Sequence, residues 1–139
     1  MSIEENLHLM KTLDDAWDLF SKLHAENVVV RWSGQKEPTK GLAAHKNEGI
    51  EMFRIFPDNH VANDPYKVLF GQGDWTCSIG VFSGTHKGPM MVPGGKSIPP
   101  TNRKFRVDFC TVAHWKNGQI DEENLFYDLG GLMKQLGLA

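Results

Sequence analysis

The sequence predicts an α+β fold in which helices cover one face of a curved antiparallel sheet. Apolar residues recur at helical spacing up to Phe56, whereas the residues beyond Pro57 form β-branched and aromatic runs separated by Gly, Pro and Asn clusters. The 139 residues match the usual length of one domain, and 40% of them are hydrophobic, which is enough to build a core. We therefore expect a single domain over residues 1–139.

Two helices and a short strand are predicted in the first part of the chain. The first helix is expected over residues 3–26, because its apolar residues recur every three or four positions. A buried strand is expected at 27–32, and a second helix at 42–56 ends before Pro57, which cannot continue it. The apolar positions of the first helix are Leu9, Leu13, Ala16, Trp17, Phe20 and Leu23.

Four antiparallel strands and a short closing helix are predicted beyond Pro57. The two middle strands are long and must bend to remain on a small domain, so the sheet is expected to curve around a cone-shaped cavity. Such a cavity suits a small hydrophobic ligand or substrate. The segment 87–103, rich in Gly and Pro, is interpreted as an irregular rim loop. The predicted strands are 67–71, 74–85, 104–116 and 119–127.

The charge of the chain argues against two classes of partner. Seventeen acidic and fifteen basic residues give a net charge of −2, so neither nucleic acid nor an anionic membrane is expected as a partner. The amino terminus is acidic and amphipathic, unlike a secretory signal, and no apolar run approaches the length of a membrane span. With Cys77 and Cys110 interpreted as reduced, buried thiols, we expect a cytoplasmic protein.

Asp128 lies where the sequence changes from strand to helix periodicity. Residues 119–127 alternate in the manner of a strand, and Leu129, Leu132 and Leu136 then follow helical spacing. A carboxylate at this point is either a helix N-cap, bonded to the first free amides, or a buried acid at the mouth of a pocket. The residues alone leave both interpretations open.

Short motifs in the second half of the chain resemble one protein family. They are FSGTHKG at 82–88, IPPT at 98–101, WKNGQI at 115–120, FYD at 126–128 and KQLGL at 134–138. In these motifs the sequence is similar to the SnoaL-like polyketide cyclase or ester cyclase family of the nuclear transport factor 2-like superfamily. The resemblance extends over most of the chain, and it implies a cone-shaped α+β barrel of the cystatin-like type.

The resemblance also implies a reaction and two catalytic residues. In the characterised cyclases an aspartate at the end of the last strand is the general acid/base, with a histidine of the neighbouring strand beside it. These positions correspond to Asp128 and His114. The family reaction is an intramolecular aldol ring closure without metal or cofactor. We expect a lyase or isomerase of this kind, which cyclises, isomerises or dehydrates a hydrophobic carbonyl compound by acid/base chemistry.

One departure from the family pattern supports a different function. Where the cyclases carry a polar amide two residues before the histidine, this chain has Val112. The alternative is therefore a non-catalytic small-ligand-binding or dimeric interaction module on the same fold. In that case His114 is an ordinary core or interface histidine, and Asp128 is an N-cap.

A set of residues is predicted to line the pocket, although aromatics at such spacing are also common in plain core. The histidines have no metal-ligand spacing, so no metal is expected, and the family resemblance implies that no other cofactor is needed. The predicted substrate-binding residues are Trp32, Phe53, Phe82, His86, Val112, Asn124 and Phe126.

Strand parity predicts which side chains share a face of the sheet. His114 falls on the more polar face of its strand, opposite a face formed by Phe105, Val107, Phe109, Ala113 and Trp115. Either the polar face lines the cavity while the aromatic face packs on a second subunit, or a bulge switches the parity. We favour the first, which predicts a homodimer through the outer sheet face. The last strand is expected to present on one pocket wall Ile120, Glu122, Asn124, Phe126 and Asp128.

Overall fold

The computed structural model describes residues 1–92 and 94–139. No helix in these ranges is long and apolar enough to cross a bilayer. The first part of the chain contains α1 (Ile3–Asp15), a 3₁₀ turn (Trp17–Leu19), α2 (Phe20–Leu23), β1 (His24–Trp32), β2 (Thr39–Lys40) and α3 (Leu42–Ile55). The second part contains β3 (His60–Ala62), β4 (Val68–Gln72), β5 (Trp75–Thr85), β6 (Met90–Val92), β7 (Lys96–Ile98), β8 (Lys104–Lys116), β9 (Gln119–Tyr127) and α4 (Leu129–Gln135).

The predicted first helix is broken into two. Helix α1 begins with a capping box between Ser2 and Glu5, and it ends where Ala16 adopts an extended backbone. The 3₁₀ turn and α2 then change the direction of the chain, and β1 begins at His24, three residues earlier than predicted. Tertiary pairing overrides helix periodicity here, because β1 aligns with β9 from His24 onward.

The main sheet has seven strands in the order β2-β1-β9-β8-β5-β3, with β4 paired to the same edge of β5. The predicted antiparallel meander of β4, β5, β8 and β9 is confirmed. Strand β1 joins β9 in parallel, a pairing between distant parts of the chain that the sequence analysis did not predict. The sheet is curved and covered by helices, as expected, but it is open at both edges and does not close into a barrel.

The aromatic face of β8 forms the core of the protein. Phe105, Phe109 and Trp115 are buried there beneath the helices, together with Met10 of α1 and Leu132 of α4. His114 lies on the opposite, outer face of the sheet. The favoured assignment of the two faces was therefore wrong, because the helices cover the side that buries more apolar surface.

A bulge in β9 changes which residues face the core. Trp115 pairs with Ile120, but His114 pairs with Glu122, so Asp121 is an extra residue in the ladder. The predicted grouping of Ile120 with Glu122 and Asn124 is consequently wrong, since Ile120 faces the core and the other two face outward. Glu123 pairs with the buried Ala113 on the covered face of β8, so it also faces inward, and it is only 4% exposed.

The predicted rim loop contains regular structure. Strands β6 and β7 form a small hairpin in which Met90 pairs with Ile98 and Val92 with Lys96. Pro93, also part of the predicted loop, lies outside the described residues. The expectation that the whole segment is irregular was wrong because Gly and Pro clusters also supply the turns of short hairpins.

Candidate active site

A pocket of about 300 Å³ lies between the helices and the inner face of the sheet. Its volume is at the lower end of the range for small-molecule sites, and its walls are mainly apolar with a few polar groups, which is typical of such sites. The polar and charged residues in its lining are Asp14, Asp15, His24, His45, Glu48, Asn59, His60 and Glu123. The aromatic residues are Trp17, Phe20, Trp32, Phe53, Phe82 and Phe109.

Three buried side chains from different elements meet at one end of the pocket. Glu123 of β9 accepts a hydrogen bond from His45 of α3, with 2.8 Å between Nε2 and Oε1. The Nε2 atom of His24, the first residue of β1, lies 3.4 Å from the same oxygen. The parallel pairing of β1 with β9 brings His24 to Glu123 across 99 residues of sequence. We call these three residues the buried triad.

Outer contacts hold both imidazoles of the buried triad in place. The Nδ1 atom of His24 donates to the carbonyl oxygen of Phe20 at 2.8 Å, which directs Nε2 toward Glu123. The Nδ1 atom of His45 lies 3.1 Å from Oε1 of Glu48. Glu48 is itself held by the hydroxyl of Thr39, which donates at 2.9 Å. Neither ring can turn without losing a hydrogen bond.

The buried triad carries opposite charges at neutral pH. Burial opposes charge on His45, but hydrogen bonds to Glu123 and Glu48 outweigh it and raise the pKa of His45 to about 9. Burial likewise opposes charge on Glu123, yet the two imidazoles lower the pKa of this carboxyl to about 2. Both pKa directions describe the same ion pair, in which an imidazolium faces a carboxylate away from water.

Asp14 is a carboxyl of different character in the same pocket. Burial raises its pKa from 3.8 to about 7, against the hydrogen bond from Tyr66, and the charges of Glu123 and Asp15 act in the same direction as burial. The phenol of Tyr66 donates to Oδ2 of Asp14 at 2.5 Å, and burial together with this neighbour raises the pKa of Tyr66 as well. Among the described residues, no donor contacts Oδ1 of Asp14. Asp14 therefore changes its protonation state near neutral pH.

Aromatic residues form the remaining walls. Trp17 packs edge-on against Phe53 near the pocket mouth, with 5.1 Å between the ring centroids. Gly49 makes room for this indole, because a Cβ atom there would lie 2.5 Å from Trp17 Cη2. The indole N–H of Trp32 is buried close to Glu48, but no acceptor in the described part of the chain has hydrogen-bonding geometry toward it.

The structure brings together three of the predicted substrate-binding residues and separates the other four. Trp32, Phe53 and Phe82 line the pocket. His86 is fully buried at the end of β5, where its ring bonds to Thr101 at 3.1 Å and packs against Phe56. The other three residues lie on the outer face of the sheet, away from the pocket, and they are Val112, Asn124 and Phe126.

Asp128 and His114 do not face a common pocket. Asp128 is exposed and caps α4 by accepting a hydrogen bond from the amide of Gly131 at 2.8 Å. His114 lies on the outer sheet face, with Nδ1 at 2.6 Å from Oδ1 of Asp121 and its ring against Trp75. The expected shared enclosure was wrong because the outer face carries His114 while Asp128 follows the end of β9. Their catalytic roles stay predictions.

The groups that the structure does bring together had weak signals in the sequence. Asp14 lies on the apolar stripe of α1, one turn after Met10, which is unusual for a carboxylate. Glu123 alternates with Leu125 and Tyr127, but Gln119 and Asp121 share its parity, so the alternation marks it only weakly. His24 and His45 had no such signal, since their proximity depends on the parallel pairing and on the position of α3.

The open, helix-covered sheet, with a mainly apolar pocket that ends in buried ionisable groups, has the ketosteroid isomerase-like α+β fold. The chain belongs to the SnoaL-like polyketide cyclase family, whose model matches residues 8–136. Family membership and fold together support a cyclase-type small-molecule enzyme. A search of curated protein sequences gives no significant match.

Several solved structures share the fold at low sequence identity. A proposed SnoaL-like polyketide cyclase from Jannaschia sp. CCS1 is 19% identical, with a TM-score of 0.84 over 100% of this chain and 96% of that one. AclR, a proposed hydroxylase from Streptomyces galilaeus, is 17% identical, with a TM-score of 0.79 over 99% and 88%. IdmH, a proposed polyketide cyclase from Streptomyces antibioticus, is 20% identical, with a TM-score of 0.70 over 93% and 98%.

Proposed function

We propose that the protein catalyses proton transfer on a small hydrophobic carbonyl compound, with Asp14 as the general acid/base. The observation that carries this proposal is the position of Asp14, a carboxyl whose pKa is raised to about 7 in an apolar pocket. A catalytic acid/base works best when its pKa lies near the operating pH, because both protonation states are then accessible. Such chemistry serves a cyclisation, an isomerisation or a dehydration.

Each proton has a place to go within the pocket. Oδ1 of ionised Asp14 removes a proton from the carbon next to the carbonyl, and the C–H electron pair moves into the enolate. Tyr66 stabilises the carboxylate through Oδ2, and the ring of Trp32 lines the same pocket. The enolate carbon then attacks a second carbonyl, and protonated Asp14 returns the proton to the new alkoxide. These steps move protons between side chains and substrate without an organic cofactor.

The family supports the choice of substrate class. The family name and the proposed polyketide cyclases from Jannaschia and Streptomyces antibioticus refer to carbonyl-rich compounds. The pocket here, about 300 Å³ with six aromatic side chains in its lining, suits a compact ring system better than a long chain.

Hydrogen exchange at carbon tests the proposal without knowledge of the natural substrate. The probes are acetophenone and 2-tetralone in deuterated buffer, with deuterium uptake at the α-carbon followed by NMR. We expect the protein to accelerate uptake, and Asp14→Asn to reduce the acceleration by about 10²- to 10⁴-fold. The matched control is Asp18→Asn, an exposed aspartate outside the pocket lining. An Asp14→Asn variant as fast as the control would refute the proposal.

A second candidate function is ligand binding without chemistry. It is favoured by Asp128, the acid predicted from the sequence, because within the described part of the chain its carboxylate bonds only to a backbone amide of its own helix. A protein of this kind would bind 2-tetralone, with shifts of pocket resonances, but would not accelerate deuterium uptake. The exchange experiment therefore separates the two functions.

We also propose a homodimer that forms through the outer face of the sheet. This face presents Phe70 at 58% exposure and Phe126 at 48%, together with Trp75. Burial of such residues against a second copy would remove apolar surface from water. Light scattering is expected to give twice the chain mass for the wild type and the mass of one chain for Phe126→Asp. A wild-type protein with the mass of one chain would contradict the proposed dimer.

We also propose a cytoplasmic location. It agrees with Cys77 and Cys110, which are half-buried and form no disulfide.

A further inference from the structure

We propose that His24, His45 and Glu123 form a binding site for a divalent first-row transition-metal ion at the polar end of the pocket. This inference goes beyond the proposed proton transfer and does not depend on it. It rests on the positions of three donor atoms, on the contacts that orient them, and on the space in front of them.

The two separations between the carboxylate and the imidazoles are close to those of a metal site. An ion about 2.1 Å from each of three N or O donors holds those donors roughly 3.0–3.4 Å apart. His45 Nε2 and His24 Nε2 lie 2.8 Å and 3.4 Å from Glu123 Oε1. All three donors lie within 4.8 Å of one another, so an ion would draw the two imidazole nitrogens together as it binds. It is the one group of this kind in residues 1–92 and 94–139.

Both imidazoles are already oriented for metal binding. A metal-bound histidine usually donates its other ring N–H to a carbonyl or carboxylate, which leaves the binding nitrogen directed at the ion. The Nδ1 atom of His24 donates to the carbonyl of Phe20, and that of His45 donates to Glu48. Both Nε2 atoms therefore point toward Glu123. A simple ion pair needs one such histidine, whereas a metal site needs two.

The surroundings indicate an open rather than a closed site. His24 and Glu123 are almost completely buried, and His45 is only 5% exposed, so the ligands are shielded from bulk water. All three nevertheless line the pocket, which leaves the remaining coordination positions of an ion directed into it. Three protein ligands with an open side are typical of catalytic rather than structural sites.

The ligand types select a class of metal ion. Two imidazoles with one carboxylate suit Zn²⁺, Fe²⁺ or Co²⁺, whereas Mg²⁺ and Ca²⁺ prefer oxygen ligands alone. The sequence analysis expected no metal, because the histidines have no ligand spacing along the chain. An ion here would face the same pocket as Asp14 and would bind a carbonyl or enolate oxygen of a substrate.

Metal titration of the untagged full chain tests the site. After treatment with a chelator, Co²⁺ is added and followed by visible absorption, and Zn²⁺ by calorimetry. We expect one ion per chain, the visible d–d bands of a four- or five-coordinate Co²⁺ site, and a rise in the unfolding temperature. Less than one equivalent, or only the spectrum of free aqueous Co²⁺, would overturn the inference and leave the buried triad as a structural ion pair.

Variants locate the ion and guard against unfolding. His45→Ala and Glu123→Gln are expected to abolish the Co²⁺ bands. Glu48→Gln, which keeps all three ligands, is expected to weaken binding by about 10- to 100-fold through the outer contact to His45. The control His114→Ala removes a histidine that also contacts a carboxylate, Asp121, and is expected to bind one ion as before. Unchanged binding in folded Glu48→Gln and Glu123→Gln would place the ion elsewhere.

The result is separable from that of the proposed function. If the chain binds one ion but does not accelerate deuterium uptake, the metal site stands and the proton-transfer proposal fails. If chelator-treated protein accelerates uptake through Asp14 and binds no ion, the opposite holds.

Discussion

The carboxylate of Glu123 lies 2.8 Å from the imidazole of His45, in the interior of the protein, and joins the middle of the sheet to helix α3. The adjacent residue, Glu122, faces outward and lies 3.4 Å from Arg31 at the surface. Two neighbouring glutamates thus belong to opposite faces of one strand, and only the inner one is part of the pocket.

This difference predicts a large contrast in stability between two chemically identical substitutions. Glu123→Gln removes the buried carboxylate of the His45 ion pair and leaves the imidazolium with the half-buried Glu48, so we expect a loss of about 3 kcal/mol in the free energy of unfolding. Glu122→Gln breaks only a surface pair and is expected to change it by less than about 1 kcal/mol. Urea denaturation monitored by circular dichroism measures both. Equal losses would mean that the buried triad contributes no more than a surface ion pair.

Asp14 predicts a particular dependence of stability on pH. Its folded carboxyl keeps a proton up to about pH 7, whereas an unfolded aspartate releases it near pH 3.8. Between these values the folded state binds more protons, so the contribution of Asp14 to stability is full below about pH 4 and decreases as the pH rises to about 7. The groups that act on Asp14 are Tyr66, Glu123, Asp15 and His24.

The corresponding test compares Asp14→Asn with the wild type across this pH range. Asparagine cannot ionise, so the variant should gain stability relative to the wild type as the pH rises from about 4 to 7, and no further above it. Chemical denaturation at several pH values measures the difference in the free energy of unfolding between Asp14→Asn and the wild type. Asp18→Asn, at an exposed position, should show no such trend. A difference that does not vary with pH would mean that Asp14 titrates normally.

A substitution at Gly49 is expected to change the pocket mouth without a large loss of stability. Gly49→Ala places a methyl group against the far end of the Trp17 indole, which can swing away from α3. Alanine also favours a helix interior by up to about 1 kcal/mol over glycine, which offsets the clash. We expect stability to change little and the affinity for 2-tetralone to fall about tenfold.

The control for this prediction is another helical glycine. In Gly130→Ala the new methyl group meets Asp128 Oδ1 at 3.6 Å, an ordinary contact, and lies outside the pocket. Its affinity should equal that of the wild type. Similar affinities in both variants would show that Trp17 does not control access to the pocket.

The effect on stability of replacing Asp128, the N-cap of α4, is expected to depend on whether the new residue can still cap the helix. Asp128→Ala removes the acceptor for the Gly131 amide and should lower stability by about 1 kcal/mol, whereas Asp128→Asn keeps a good cap and should be nearly neutral. Thermal unfolding distinguishes the two variants. If Asp128→Asn instead keeps its stability but loses deuterium exchange, the catalytic role predicted from the sequence is restored.

Local patterns were sufficient for most of the secondary structure. Alternation located β8 and β9 at their observed bounds, and helical spacing with Pro57 located α3 within one residue. The bulge at Asp121 has no local signal, because an extra residue in a ladder is defined only by the partner strand. The bulge changed the face of Ile120. Glu123 faces the pocket for another reason: it pairs with Ala113 on the aromatic face of β8, and the helices cover that face rather than the opposite one.

The amino-acid sequence by itself determined the α+β class, the meander and the family, because these depend on periodicity and on motifs that are contiguous in the chain. Only the tertiary structure decided which face of the sheet is inside and which ionisable groups meet. His24 and Glu123 are 99 residues apart and come together through a parallel pairing of the first and last long strands. No short-range sequence pattern predicts this contact between His24 and Glu123, because it results from the packing of the whole core.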